Sequence, residues 1–192
     1  MSSASLSRAE LAASLRAALL SPGDAAALEV HGRSNAAVLI PLYLDDGQLH
    51  AVFTRRRDDM RLHAGQISFP GGRQDDGEDL HETALREACE EIGLDSTGVE
   101  IVGALQPTPT FVTDFAVYPF VGLIEPGQTW RPSDAEVAAV IEPSVDQLRE
   151  GWAERPVETT RGTFTSDTYL VSEDLIWGAT ARIVTHLLAV LP

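Results

Sequence analysis

The sequence predicts an α/β sandwich, a fold in which a mixed β-sheet is covered by helices on both faces. Several short apolar runs alternate with segments that contain proline and glycine, a pattern typical of strands and their turns. A length of 192 residues with 44% hydrophobic content allows one core and is too short for two comfortable domains. We therefore expect residues 1–192 to form a single domain.

The first third of the chain predicts a helix followed by a hairpin. Leucines recur at helical spacing within residues 1–28, which predicts an amphipathic helical extension that ends near Ser21-Pro22-Gly23. This helix could pack on the domain or on a second subunit, so a homodimer is one expectation. Two apolar runs joined by the turn signal Asp45-Asp46-Gly47 predict a hairpin over residues 36–55.

A second helix is predicted from Asp79 to Ile92, where proline and glycine are absent and Gly93 follows as a stop signal. One face of this helix is apolar and should pack on the sheet, with Cys89 at its margin as a small core residue. The remaining predicted elements are strands within residues 67–69, 99–106, 115–124, 136–143 and 164–171, and a closing helix from Ile176 to Leu191.

Composition limits the classes of partner. The 14 basic and 29 acidic residues give a formal charge of -15, which argues against a broad surface for nucleic acid or anionic membranes. Because Cys89 is the only cysteine, an internal disulfide and a cysteine-built zinc site are excluded, as expected for a reducing cytoplasm. No early segment looks like an export signal and no apolar run is long enough to span a bilayer. We expect a soluble, cytoplasmic protein.

All basic residues are arginines, and five of the fourteen fall within a short stretch that forms a local positive island. Such a group suits phosphate, which arginine holds by forked hydrogen bonds, although a solvated strand end would look the same. The five are Arg55, Arg56, Arg57, Arg61 and Arg73. Since neighbours on a strand alternate faces, Arg56 should point away from Arg55 and Arg57.

Three glutamates on the second predicted helix indicate a metal site. Glu87, Glu90 and Glu91 have the spacing i, i+3 and i+4, which puts their carboxylates on one face. Like charges placed in this way repel, and a divalent cation would offset the repulsion. Oxygen ligands of this kind suit Mg²⁺ or Mn²⁺ and leave room for the oxygens of a substrate phosphate.

The spacing around these glutamates resembles the signature of Nudix hydrolases, G-x5-E-x7-R-E-U-x-E-E-x-G-U, where U is a bulky apolar residue. The fixed positions over residues 72–94 are Gly72, Glu78, Arg86, Glu87, Glu90, Glu91 and Gly93, with Leu94 at the last apolar place. Only Ala88 is smaller than usual. The resemblance implies a Nudix-type α/β/α sandwich with a catalytic loop-helix-loop and hydrolysis of a pyrophosphate bond.

The same resemblance implies roles for these residues. Glu87 and Glu91 would be the principal metal ligands, Glu90 a further ligand or proton acceptor, and Gly72 would lend its carbonyl oxygen. Glu78 and Arg86 would form an ion pair that braces the loop. The general base stays open between Glu90 and Glu136, because members of the family recruit different acids. Glu91 should be indispensable for turnover.

A second motif lies immediately upstream, over Thr54–Gly72, and resembles the motif of Nudix enzymes that cleave coenzyme A. The matching residues are Thr54, Arg56, Arg61, His63, Gly65, Gln66, Phe69, Pro70, Gly71 and Gly72. Phe53 and Met60 stand where leucines are usual. The resemblance implies a bacterial coenzyme A pyrophosphatase that yields 3',5'-ADP and 4'-phosphopantetheine, or an acyl form, with substrate contacts from Arg56, Arg61, His63 and Gln66.

Three alternatives remain open at the level of sequence. The Nudix chemistry could act on another small molecule, such as ADP-ribose, a dinucleotide or an oxidised nucleotide, because the signature fixes the reaction centre and not the substrate. The chain could instead be a non-catalytic Nudix module that senses a nucleotide. Lastly, it could be an ordinary scaffold with an acidic helix, for which divalent metal would not change thermal stability.

Overall fold

The computed structural model describes residues 6–59, 65–110, 114–159 and 162–192, and Arg61 and His63 therefore lie outside the described residues. The elements in chain order are α1 (Arg8–Ala18), α2 (Pro22–Ala26), β1 (Ser34–Asp45), β2 (Gln48–Ala51), β3 (Phe53–Arg56), β4 (Ile67–Ser68), β5 (Gly71–Arg73), α3 (Leu80–Ile92), β6 (Glu100–Ala104), β7 (Thr108–Pro109), β8 (Phe115–Leu123), β9 (Val137–Ile141), α4 (Val145–Gly151), β10 (Trp152–Thr159), β11 (Gly162–Val171), β12 (Asp174–Ile176) and α5 (Gly178–Val190).

The central sheet is mixed, as the sequence predicts. Its main path runs β2-β1-β8-β6, with β5 paired to β1 and β7 paired to β8. The long strands β1 and β8 are parallel, and every other pair in this sheet is antiparallel. Two antiparallel sheets of three strands, β4-β3-β9 and β10-β11-β12, complete the structure.

The two faces of the central sheet are buried under different helices. Along β1, Ile40 and Leu42 pack with residues of α1, α4 and α5, whereas Leu39 packs with α3. This alternation follows from the two-residue period of a strand. Leu11 and Leu15 of α1 are completely buried in the same chain's core, so the N-terminal helix packs on its own domain. The predicted α/β sandwich is confirmed.

Local signals set the limits of α3, which the sequence predicts to within one residue. Asp79 is the N-cap, and its backbone N–H donates to the Glu82 carboxylate at 3.3 Å. Gly93 ends the helix with a φ of 69°, a left-handed conformation that costs glycine little. The predicted hairpin is confirmed for β1 and β2, with Asp46 and Gly47 at the turn, but its second strand ends at Ala51, and β3 pairs with β4 and β9 in another sheet.

The predicted end of the first helix needs correction. The first helix ends at Ala18, and Ser21-Pro22 begin α2, because proline is favoured in a first helical turn and the Ser21 hydroxyl accepts from the Asp24 N–H at 3.1 Å. No sequence prediction covers α4 or β10. Within the described residues, no helix combines the length and the apolar character that crossing a membrane requires.

Candidate active site

The site is built where the short strand β5 passes in front of α3. β5 pairs with β1 at the registers Ala37↔Gly72 and Val38↔Gly71, and this pairing holds two glycines against the helix. The Gly71 N–H donates to the Glu91 carboxylate at 3.1 Å. A Cβ added to Gly72 would lie 2.5 Å from the Glu87 carboxyl carbon. Only glycine lets the backbone approach these carboxyl groups so closely.

Glu91 is the most deeply placed acid of the site. Its residue surface is 8% exposed, which is unusual for a glutamate. The pKa of the Glu91 carboxyl is raised to about 7, chiefly by burial and to a lesser extent by the nearby charges of Glu87 and Glu136. The Gly71 N–H and the Arg56 guanidinium act in the opposite direction. The Glu91 carboxylate is therefore a buried charge that lacks full compensation.

Glu87 and Glu90 lie in different surroundings from Glu91. Burial raises the pKa of Glu87, although the Arg86 guanidinium opposes this effect. Arg86 Nη1 donates to Glu87 at 2.9 Å and to Glu90 at 3.3 Å. The Glu90 side chain is 60% exposed. The three glutamates thus share one side of α3, but each has a different degree of contact with solvent.

Glu78 and Arg86 form the ion pair that the Nudix resemblance implies. Arg86 Nε and Nη2 donate to the two Glu78 oxygens at 2.9 and 3.1 Å, and Nη2 also donates to the Arg73 carbonyl. The Thr83 hydroxyl donates to Glu78 at 2.7 Å. These hydrogen bonds lower the pKa of Glu78 to about 2, and those from Arg86 have the largest effect. The pair joins the loop after β5 to the middle of α3.

We expect Glu78→Gln to lower the free energy of unfolding by about 1–2 kcal/mol at pH 7, because it removes charge-assisted hydrogen bonds to Arg86. A carboxyl whose folded pKa is depressed stabilises the protein above its unfolded value near 4.5 and loses this effect as pH falls toward about 2. Denaturant unfolding at several pH values should show a difference in the free energy of unfolding between the two proteins that becomes smaller over that range. A difference in unfolding free energy that stays constant from pH 7 to pH 3 would contradict an ionic role for Glu78.

Glu136 reaches the same cluster from another sheet. It precedes β9, which pairs with β3 across a register shift that places Arg56 opposite Val137. Such bulges redirect side chains. Arg56 Nη2 lies 3.6 Å from the Glu136 carboxylate, and Glu136 is close enough to raise the pKa values of both Glu87 and Glu91. The two sequence candidates for the general base, Glu90 and Glu136, both lie close enough to Glu87 for their charges to raise its pKa.

The structure separates the neighbouring arginines as predicted. Arg56 faces Glu136, Arg55 Nη1 lies 3.4 Å from Asp174, and Arg57 binds Asp59. Gln66 lies beside Arg56, whose backbone N–H donates to the Gln66 carbonyl oxygen at 2.9 Å. The substrate roles predicted for Arg61 and His63 fall on residues outside the described ranges.

Cys89 is exposed, so its predicted place in the core is wrong. The apolar stripe of α3 is narrower than the sequence suggests, and Ala84, Ala88 and Ile92 are its buried members while Leu85 is half-buried. The contact of the Gly71 N–H with the Glu91 carboxylate is not among the sequence predictions. The pair of glycines in the second motif is the signal for that contact, because a backbone donor needs close access to a carboxylate.

The donor set suits a hard divalent cation. Glu87, Glu90 and Glu91 offer carboxylate oxygens and Gly72 offers a carbonyl oxygen, which are ligands that Mg²⁺ and Mn²⁺ accept. A cation beside Glu87 and Glu91 would also offset the burial that raises their pKa values. Among the described residues, no three acidic, histidine or cysteine side chains converge closely enough to hold an ion. Here the Arg86 guanidinium supplies the positive charge between Glu87 and Glu90.

Comparison with known proteins agrees with this arrangement. The NUDIX domain matches residues 33–163. A protein of Pectobacterium atrosepticum named "Uncharacterized Nudix hydrolase NudL" is 37% identical over 161 residues, which cover 82% of this chain and 83% of that protein. The crystal structure of DR0079 from Deinococcus radiodurans superposes with a TM-score of 0.54 at 18% identity, covering 80% of this chain and 82% of that one.

A further structural match is the NUDIX domain of Shewanella oneidensis NrtR in complex with ADP ribose. The TM-score is 0.50 at 17% identity, and the match covers 65% of this chain and 79% of that one. The two structural matches support the fold, and the NUDIX domain match and the sequence relative extend over most of the chain. This chain belongs to the Nudix hydrolase family.

Proposed function

We propose that this Nudix hydrolase cleaves the pyrophosphate bond of coenzyme A or its derivatives and releases 3',5'-ADP and 4'-phosphopantetheine, or an acyl form of the latter. The observation that carries the proposal is the position of Arg56. This residue belongs to the coenzyme A motif, and its guanidinium acts on both Glu136 and Glu91 of the carboxylate cluster. The motif and the Nudix signature therefore meet at one site.

Arg56 is also equipped to bind an anion. Its Nε is buried and has no hydrogen-bond partner among the described residues, while its Nη2 is 3.6 Å from Glu136. A buried donor without a partner costs free energy unless a ligand satisfies it. A phosphate oxygen is a strong acceptor for a guanidinium. Gln66, which directly precedes β4, accepts the Arg56 backbone N–H at 2.9 Å and is proposed as a second substrate contact.

The proposal includes Mg²⁺ or Mn²⁺ bound by Glu87, Glu90, Glu91 and the Gly72 carbonyl oxygen. When bound, the cation would neutralise charge on the phosphate oxygens and lower the pKa of its water. The residues of the chain would complete the site. Arg56 would orient the diphosphate, and Glu90 or Glu136 would accept the proton of the attacking water.

The test is direct. Purified protein is incubated with coenzyme A and either Mg²⁺ or Mn²⁺, and the products are separated by chromatography. We expect 3',5'-ADP to appear only when the metal is present. A parallel panel should contain ADP-ribose, a dinucleotide and an oxidised nucleoside triphosphate. If any of these compounds is hydrolysed faster than coenzyme A, that compound is the better candidate for the substrate. If a compound binds in Mg²⁺ but is not hydrolysed, the chain is better described as a sensing module.

We expect Arg56→Ala to raise the KM for coenzyme A by about 10–100-fold, which corresponds to the loss of one charge-assisted hydrogen bond to phosphate. Arg55→Ala is the matched control, because Arg55 is the next residue on the same strand but its guanidinium binds Asp174. Steady-state kinetics on both variants will check the prediction. Equal KM values for Arg56→Ala and Arg55→Ala would remove Arg56 from the substrate site.

A further inference from the structure

The segment that carries Glu136 is attached to the rest of the site at two points. On one side it packs on the last turn of α3, where the Ser133 N–H donates to the Glu91 carbonyl oxygen at 2.8 Å and the Arg131 N–H donates to the Ile92 carbonyl oxygen at 2.9 Å. These bonds satisfy carbonyl groups that a helix terminus otherwise leaves open. The bond from Ser133 also attaches this segment to Glu91, whose side-chain carboxyl is buried in the site.

The second attachment is Arg57, at the end of β3. Its backbone N–H donates to the Glu136 carbonyl oxygen at 3.1 Å, and its Nη1 donates to the Asp134 carbonyl oxygen at 2.7 Å. Asp59 holds the opposite edge of the same guanidinium, with Nε and Nη2 each at 2.9 Å from a carboxylate oxygen. Asp59 therefore fixes the orientation of the guanidinium that binds the segment.

Arg57 occupies a variable position of the second motif, and its side chain binds Asp59 and the Asp134 carbonyl oxygen rather than the glutamates of the active site. The guanidinium is 41% exposed and the Asp59 carboxylate is 66% exposed, so an ion pair of this kind adds little to stability. The side chain of Arg57 nevertheless binds the segment through the Asp134 carbonyl oxygen, and its backbone N–H binds the Glu136 carbonyl oxygen two residues later. A surface pair with this geometry controls where the segment lies more than whether the domain folds.

We propose that Arg57 is a positioning residue that holds the 133–136 segment so that the Glu136 carboxylate stays in the active site. The inference rests on the proposed function in one respect, namely that Glu136 takes part in turnover. Arg57 itself touches neither the substrate nor the reacting atoms. Removing its side chain leaves the backbone bond to Glu136 in place and releases the Asp134 carbonyl oxygen.

We expect Arg57→Ala to lower kcat about tenfold and to leave KM within about twofold, because small displacements of a catalytic group carry large rate penalties while substrate contacts are retained. Arg149→Ala is the matched control. Arg149 is 45% exposed and pairs with Asp146 at 3.4 Å on α4. Both variants should melt within about 3 °C of the wild type, as expected for exposed ion pairs.

The decisive measurement is a double-mutant cycle with Glu136→Gln, run on whichever substrate the wild type hydrolyses fastest and at raised enzyme concentration for the slow variants. If Arg57 acts through Glu136, Arg57→Ala changes kcat by less than about twofold in the Glu136→Gln background. An equal loss in both backgrounds, or a wild-type kcat for Arg57→Ala, overturns the inference alone. Wild-type turnover by Glu136→Gln instead overturns the role of Glu136, and the inference with it.

Discussion

Glu91→Gln should abolish turnover while the protein stays folded. Glu91 is the most buried acid of the site, and glutamine has the same size but cannot carry the negative charge that a divalent cation needs. Loss of a metal's stabilisation of the transition state amounts to several kcal/mol, which corresponds to about a 10³-fold fall in kcat. Initial rates in Mg²⁺, measured beside the wild type, will test this.

The fold of that variant should survive because the glutamine carbonyl oxygen can still accept the hydrogen bond from the Gly71 N–H. Circular dichroism melts in the absence of metal will show whether it does. Glu150→Gln, an exposed acid on α4, is the control for removing one charge from an acidic protein and should keep the wild-type rate. Near-normal turnover by Glu91→Gln would refute the metal assignment.

Gly71→Ala should be the most destabilising single change at the site. A Cβ at this position would lie 2.3 Å from the Ala37 carbonyl oxygen and 2.6 Å from the Val38 Cα. Both are backbone atoms of the central strand β1, which cannot move without disturbing its pairing with β8. Overpacking of this severity costs about 3 kcal/mol, or roughly 6–12 °C in Tm for a domain of this size.

The same substitution should reduce activity, because it moves the Gly71 N–H away from Glu91. Gly98→Ala is the control. Among the described residues beyond its two chain neighbours, no atom lies within 4 Å of a Cβ at Gly98, so the Tm of this variant should change by no more than about 2 °C. Thermal melts and initial rates on the two variants will separate a steric clash from a general effect of replacing glycine. A Gly71→Ala protein as stable as the wild type would contradict the packing described for β5.

The parts of the fold that could be predicted are those with local causes. Asp79 and Gly93 limit α3 through the hydrogen bonds and backbone angles of their own neighbours, and the turn at Asp46 and Gly47 limits the first hairpin in the same way. The prediction that helical structure ends near Ser21-Pro22 is wrong because serine and proline can mark either the end of one helix or the start of the next.

In the candidate site, too, features with local causes could be predicted and features that depend on strand pairing could not. The spacing of Glu87, Glu90 and Glu91 predicts a shared side of the helix, but not that Glu91 alone is buried beneath β5. That difference depends on pairing between β5 and β1, which no local pattern in α3 encodes. Likewise, the approach of Glu136 to the cluster follows from the pairing of β3 with β9, whose residues are about eighty positions apart in the chain.

The parallel pairing of β1 with β8 has a consequence for the order in which the protein can mature. Val38 of β1 lies opposite Pro119 of β8, about eighty residues later in the chain. The sheet on which α3 packs is therefore incomplete until β8 has left the ribosome. Contacts between such distant segments close slowly, because the chain must first give up the entropy of a long loop. α3, which carries Glu87, Glu90 and Glu91, is therefore translated before β8, which completes the sheet beneath it. The active site can form only late in synthesis.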